Sequence, residues 1–258
     1  MADHNRPGPP MSGVQVSALK VRLEGQTVLD GVSLEVETGE FLCVVGPNGS
    51  GKTTLLRVIA GDHRGYSGTV TIGGADQISL STAARARTRA FLSDADNTDV
   101  PFTVSVVVGF GTHTSDLNED ERAEAVDRAM QRMEIDHLAD RIVGSLSAGE
   151  RRRVSIARTL AQGTATLLLD EPTDALDLGH ADMVMRCAAQ EADRDAAVIA
   201  ATHDLNLAAR HADRVIVLSN GEILADGSPS EVMSEPLLSS VYHCEVRVAR
   251  HPDGGPLV

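Results

Sequence analysis

The sequence predicts an α/β fold built on a mainly parallel core sheet, and three features predict it. Phe41–Val45, residues 166–169 and Ala197–Ala201 are short, almost unbroken apolar runs, as in strands covered on both faces. Through the last third of the chain such runs alternate with helical stretches, the order from which parallel sheets are made. At 258 residues the chain can bury a sizeable core as one α/β unit with an inserted subdomain.

The elements follow in order. Residues 1–12 hold Pro7, Pro9 and Pro10 and no apolar stretch, so a disordered lead-in is expected there, not a secretory signal. Residues 14–23 predict a strand, ended by a turn at Glu24-Gly25-Gln26. Val32-Ser33-Leu34-Glu35-Val36 alternates apolar and polar, which fits a half-buried strand. After Phe41–Val45 a helix is expected over 53–60, closed by Gly61, then a strand at Val70-Thr71-Ile72. From about 82 to 162 the pattern turns helical. Within 118–135, Val126, Ala129, Met130 and Met133 share one face and acidic residues crowd the first turn, so both methionines are core candidates. A strand over 166–169, a helix over 181–194, the strand Ala197–Ala201, a helix over 205–212 and the strand Arg214–Ser219 come next. Asn220-Gly221 then turns the chain into a strand over 222–225.

Composition excludes several function classes. Against 37 acidic residues stand 23 basic ones, a net charge of −14, which argues against nucleic acid as the main partner. It argues equally against simple adsorption to an anionic membrane. Aromatic residues make up only 2%, with no Trp, so ring stacking is almost absent as a binding device. Cys43, Cys187 and Cys244 show no CxxC or Cys/His spacing, which points to a reducing setting without disulfides or a zinc site. No apolar run approaches the length of a transmembrane helix. Lys20 and Lys52 are the only lysines, so a lysine inside a motif carries weight.

One such motif is Gly46-Pro47-Asn48-Gly49-Ser50-Gly51-Lys52-Thr53-Thr54, which follows a buried strand and opens a helix, the setting a phosphate-binding P-loop requires. Its glycines let backbone N–H groups converge on phosphate oxygens, and the helix start adds positive potential. Lys52 suits the β- and γ-phosphates, and the Thr53 hydroxyl suits Mg²⁺. Asp170-Glu171 ends an apolar strand, where open α/β sheets bind ligands. Asp170 fits a magnesium-holding carboxylate and Glu171 a general base that polarises the attacking water; on its own such a pair also serves as a helix cap.

Leu146-Ser147-Ala148-Gly149-Glu150, upstream of Asp170, resembles the signature motif of the ABC ATPase family, usually Leu-Ser-Gly-Gly-Gln. Pro172-Thr173-Asp174-Ala175-Leu176-Asp177 is similar to the family's D-loop, and His203 matches its switch histidine. The resemblance covers nearly the whole chain after Val14. It implies a P-loop NTPase cassette with an antiparallel β subdomain and an inserted α-helical subdomain at about 82–162, within an ATPase domain over 13–250 followed by a tail over 251–258. It further implies catalytic roles for Lys52, Glu171 and His203. Nucleotide contacts would come from residues 46–54, from Leu146, Ser147, Ala148, Gly149 and Glu150, and from Asp177. Cofactors would be ATP and Mg²⁺, the metal held by Thr53, Asp170 and Asp94. Two departures stand out. Asp94 falls where the family's Q-loop glutamine is expected, and no aromatic lies near Leu23, where one usually stacks on adenine. The run Arg151-Arg152-Arg153 is expected along the solvated face of the signature helix.

The implied partners are a second copy of the chain in an ATP sandwich, integral-membrane permease subunits at the cytoplasmic face of the membrane, and indirectly a substrate-binding protein. Three segments are similar to ATPases of cobalamin, haem and ferric-siderophore importers: Phe102-Thr103-Val104 with Gly109 and Gly111; His203-Asp204-Leu205-Asn206-Leu207-Ala208-Ala209-Arg210; and the tail from Val241 through Pro252, where a short strand pair is expected. None of these residues touches cargo, so that likeness is analogy. The alternatives are another transporter class, or a soluble ABC protein acting on ribosomes or DNA, a kind that generally carries two cassettes or long arms.

Overall fold

Alternation of side chains along β-strands divides the interior of this molecule in two. The computed structural model describes residues 12–93, 100–250 and 255–258. The chain opens with a hairpin of β1 (Ser12–Leu23) and β2 (Gln26–Glu37), turned at Glu24 and Gly25, both at positive φ. β3 (Phe41–Val45), α1 (Lys52–Ala60), β4 (Tyr66–Ile72) and β5 (Ala75–Asp76) follow. β1, β2, β4 and β5 form a four-stranded antiparallel sheet in the order β2-β1-β4-β5.

α2 (Thr82–Thr88) leads into β6 (Arg89–Leu92), and then come α3 (Val104–Gly109), α4 (Glu119–Arg132) and α5 (Ala148–Ala161). The last third runs through β7 (Thr166–Asp170), α6 (Leu178–Ala192), β8 (Ala197–Ala201), α7 (Leu205–His211), β9 (Arg214–Ser219) and β10 (Glu222–Gly227). α8 (Pro229–Val232), α9 (Glu235–Tyr242), β11 (Ala249–Arg250) and β12 (Pro256–Leu257) complete it. The core sheet has the order β10-β9-β3-β8-β7-β6, parallel throughout except for the β9–β10 hairpin.

Leu42 and Val44 of β3 point to one side, where Leu168, Ile199, Ile216, α1 and the antiparallel sheet enclose them. Phe41, Cys43 and Val45 point to the other, where they meet the cluster that α3, α4, α5 and α6 share. A period of two thus turns one apolar run into two cores, and both faces of the parallel sheet are covered. Cys43 and Cys187 are buried in this packing and Cys244 is exposed, all three as free thiols. The Met130 and Met133 side chains are buried, as the helical period requires.

The structure differs from the sequence reading at four places. The helical stretch over 82–162 is interrupted by β6, which joins the core sheet, because Ala90 and Leu92 bury against it. β1 already starts at Ser12; residues 1–11, expected as the lead-in, lie outside the described residues. The stretch over 251–258 is more than a tail: β12 pairs with β11, and Val258 exchanges two hydrogen bonds with the Asn206 side chain on α7. The short strand pair expected between Val241 and Pro252 thus falls later, with β11 inside that span and β12 beyond it. Finally, none of the three arginines 151–153 lies on a free solvated face. Arg153 is buried and donates to the carbonyls of Met133 and Glu134, Arg151 donates to that of Leu146, and Arg152 reaches across to the core sheet.

Candidate active site

The P-loop follows from what β3 must do after Val45. Gly46 sits at φ 150°, and a Cβ there would lie 2.0 Å from the Leu218 carbonyl oxygen of β9, so only glycine allows the loop to cross so close to its neighbour. Gly51 caps α1 in the left-handed conformation, and no side chain is bonded across the first turn of that helix. Its leading N–H groups therefore face the cleft with the positive end of the helix dipole. Ser50 is buried; its N–H donates to the Pro47 carbonyl at 3.2 Å and its own carbonyl accepts from Gly221 at 3.1 Å, which pins the loop from behind.

Lys52 is buried, and its Nζ donates to the carbonyls of Gly46 at 2.7 Å and Pro47 at 3.2 Å. Burial pushes the Lys52 pKa down, while the charges of Glu171 and Asp170 oppose that shift. Thr53 donates its hydroxyl to Asp170 Oδ1 at 3.1 Å, and Asp170 has no exposed surface. β7 puts Asp170 and Glu171 at the mouth of the sheet. Glu171 Oε1 lies 3.9 Å from Lys52 Nζ; Glu171 Oε2 accepts from the His203 N–H at 3.1 Å and stands 2.9 Å from His203 Nδ1. Polar atoms of Glu171, Asp174 and His203 all lie within 4.8 Å of one another. The cleft, about 420 Å³, is lined by Val28, Asn48, Lys52, Thr53, Asp174 and His203, among others.

Most of the predicted residues are thus brought together: those of the P-loop with Lys52, Thr53, Asp170, Glu171 and His203. Val28 and Asp174 were not singled out as nucleotide-site residues by the sequence reading. Asp174 could have been, since it lies in the D-loop run; Val28 gave no local signal, because only the sheet register carries β2 over the loop. A larger groove, about 1060 Å³, runs beside α4, with Arg128, Arg132 and Glu191 on its walls. It contains none of the motif residues, so size does not mark the site.

The signature residues lie elsewhere, and none lines the P-loop cleft. Leu146 is buried in the core and does not present itself to a ligand, which corrects its place among the nucleotide contacts. Ser147 caps α5: its hydroxyl accepts from the Glu150 N–H at 3.3 Å, while Glu150 Oε2 accepts from the Ser147 N–H at 2.7 Å. Those bonds hold the Glu150 pKa below the ordinary glutamate value. Ala148 is exposed, and Gly149 lies against the D-loop: a Cβ there would stand 3.0 Å from the Ala175 carbonyl. Asp177 stands apart from the cleft of its own chain. Its carboxylate caps α6, accepting from the His180 N–H at 2.9 Å and standing 2.8 Å from its ring, and it does not line the cleft. Leu23, at the end of β1, is partly exposed, with no aromatic in its place. Asp94, the expected Q-loop position, lies outside the described residues.

The comparisons agree with this geometry. Residues 29–174, more than half of the chain, match the family model described as ABC transporter. The chain belongs to the ABC transporter family. Within it, a hemin import ATP-binding protein of Streptomyces coelicolor is 44% identical over 98% of this chain and 92% of its own length. A protein of the same description from Rhodococcus jostii is 42% identical over 96% of this chain and 87% of its own. Among solved structures, a dimeric bacterial ABC transporter cassette superposes with a TM-score of 0.75 at 26% identity, covering 83% of this chain and 98% of that one. This member of the family is an ATP-binding and ATP-hydrolysing subunit, and its fold is that of the family's cassettes.

Proposed function

We propose that two copies of this chain clamp two ATP molecules, each between the P-loop of one copy and the signature tip of the other, and that the pair drives a permease importing haem at the cytoplasmic face of the membrane. The observation that carries the hydrolytic reading is the Glu171 carboxylate, which meets Lys52 on one oxygen and His203 on the other at the head of the P-loop. A carboxylate held there can take a proton from water attacking the γ-phosphate. Lys52 offsets the phosphate charge, and His203 orients Glu171 through its N–H and ring.

The donor set suits Mg²⁺. Thr53 and Asp170 offer hard oxygen donors, already in contact and one of them anionic, with no sulfur or imidazole between them. Mg²⁺ held by these two residues would supply positive charge against the phosphate oxygens.

Pairing is supported by the separation of the two half-sites within one chain and by the dimeric cassette the fold resembles. Docking on a permease is supported by α3 and its surroundings. Phe102, Val106, Phe110 and Ile142 are each more than 40% exposed, and the two phenylalanine rings meet edge to face at 5.6 Å. Half of the chain's four phenylalanines stand on this one surface, a patch that suits a cytoplasmic loop of a membrane partner. No helix among the described residues is long and apolar enough to cross a membrane, so the permease, with a substrate-binding protein beyond it, would be separate chains. Haem as cargo rests on the two hemin import relatives; ferric siderophore and cobalamin are its rivals.

Glu171→Gln tests the reading. Turnover is expected to fall at least about 100-fold while nucleotide binding persists. Parental turnover in that variant would remove Glu171 as the base. Co-purification from gently solubilised membranes should bring down a polytopic permease; ribosomes or DNA in its place would overturn the transport reading.

A further inference from the structure

Arg152 stands where the signature helix meets the catalytic strand. Its Nη2 donates to the carbonyl oxygens of Asp170 at 2.7 Å and Glu171 at 2.6 Å, and its Nη1 to that of Ser93 at 3.2 Å. One guanidinium on α5 therefore holds carbonyls at the ends of both β6 and β7. The need for it is topological. The pairing of β6 with β7 stops at Leu92 opposite Leu169, so among the described residues no strand pairs with Asp170 and Glu171 on that side. Arg152 supplies donors there, and charge-assisted bonds are stronger than ordinary amide ones.

Glu171 has particular use for such a hold. Its φ is 45°, in the left-handed region that residues with a Cβ avoid, and such a conformation persists only where the surroundings over-determine it. From the β8 side its N–H donates to the Ala201 carbonyl at 2.9 Å; from the other side its own carbonyl rests on Arg152. Arg151 and Arg153 do nothing similar. They bond the carbonyls of Leu146, Met133 and Glu134, all within the helical subdomain. Of the run of three, Arg152 is the one that crosses to the core sheet.

The same helix carries Ser147 at its tip, five residues before Arg152 and about 7.5 Å away along the axis. We propose that Arg152 is a positioning residue: it holds the Glu171 peptide in its hydrolytic conformation and ties it to α5, so that engagement of Ser147 with one nucleotide sets the base acting on the other. This rests on the reading of Glu171 as the base.

The test is ATP turnover by the purified full chain beside the affinity for a fluorescent ATP analogue with Mg²⁺. Arg152→Ala should lower kcat by about 10- to 100-fold with affinity within about threefold, since the P-loop itself is untouched. Arg152→Lys, which keeps the charge and can reach the two neighbouring carbonyls, should recover kcat to within about threefold of the parent. In a Glu171→Gln background, Arg152→Ala should cost less than about twofold more, because residues acting through one group are not additive. Should Arg152→Ala not fold, Arg152→Gln, with a shorter, uncharged amide, takes its place and should still lose at least about fivefold in kcat. Parental kcat in these variants, or an equal loss in the Glu171→Gln background, would overturn the positioning role while leaving the base in place. A Glu171→Gln variant with parental turnover would overturn the base first and this coupling with it.

Discussion

At the start of α1 the N-cap is Gly51, left-handed and with no side chain bonded across the first turn. At the start of α5 the N-cap is Ser147, whose hydroxyl closes a capping box with Glu150. In the proposed pairing the two tips meet the same kind of ligand, and they are built in opposite ways. The α1 tip leaves its first N–H groups to a ligand and surrounds them with preset buried charges, Lys52 and Asp170. The α5 tip ties two of its N–H groups, those of Ser147 and Glu150, into its own capping box, and Ser147 and Ala148 stand exposed. Under the proposed pairing, the difference assigns affinity and closure to different ends of the molecule. The α1 tip is rigid and unsatisfied by its own side chains, so it binds. The α5 tip is stable by itself, so it can wait for a nucleotide presented by a second copy.

Changes at the α1 tip should do most damage. Lys52→Ala should weaken nucleotide binding by at least about 100-fold in a fluorescence titration, since it removes the buried cation facing the phosphates. Binding within threefold of the parent would mean that the N–H groups alone carry affinity. Gly46→Ala should act as strongly through the backbone, because its Cβ would drive the loop off the Leu218 carbonyl; intact binding would show that β9 yields there. At the α5 tip the expectation is split. Ser147→Ala should leave the binding of one nucleotide by the monomer within about threefold yet lower turnover by about 10-fold, besides costing about 1 kcal/mol of helix capping. Equal losses in both measurements would erase the distinction between the tips.

The smallest effect is in acid. The Glu150 pKa is held down by its bonds to Ser147, so its contribution to stability is present above the ordinary value of 4.5 and is lost as pH falls through the lowered value. Glu150→Gln should lower the thermal midpoint by about 1–3 °C at neutral pH, the effect small because the group is partly exposed, and the gap should close on acidification. A gap that widens in acid would place the carboxylate's partner elsewhere.

Much of the α1 side was legible in the sequence. A P-loop is contiguous, its glycines are demanded by local backbone geometry, and the strand before it and helix after it are written in neighbouring residues. The Asp170-Glu171 pair was legible for the same reason, at the end of an apolar strand. The α5 side was legible as a motif, but the part each residue plays within its own chain was not. Leu146 belongs to the core and Asp177 to a helix cap, and nothing in a run of letters separates a residue that touches a ligand from one that holds the loop that does. The three arginines looked like a solvated charge run, since charge runs usually are; the carbonyl partners of Arg152 and Arg153 lie far off in sequence, at the ends of β6 and β7 and in the loop after α4.

By itself, then, the sequence determined the alternation of strands and helices, the phosphate loop, the family and the chemical types gathered for hydrolysis. All of these are set by nearest neighbours and by periods of 2 and 3.6. The tertiary structure alone decided that Val28 and Asp174 line the cleft, that the signature tip stands apart from the P-loop of its own chain, and that Arg152 joins α5 to the catalytic strand. Those facts depend on where β6 stops beside β7 and on which carbonyls are left for a side chain to satisfy, and sheet register is a property of pairs of strands, not of either strand alone.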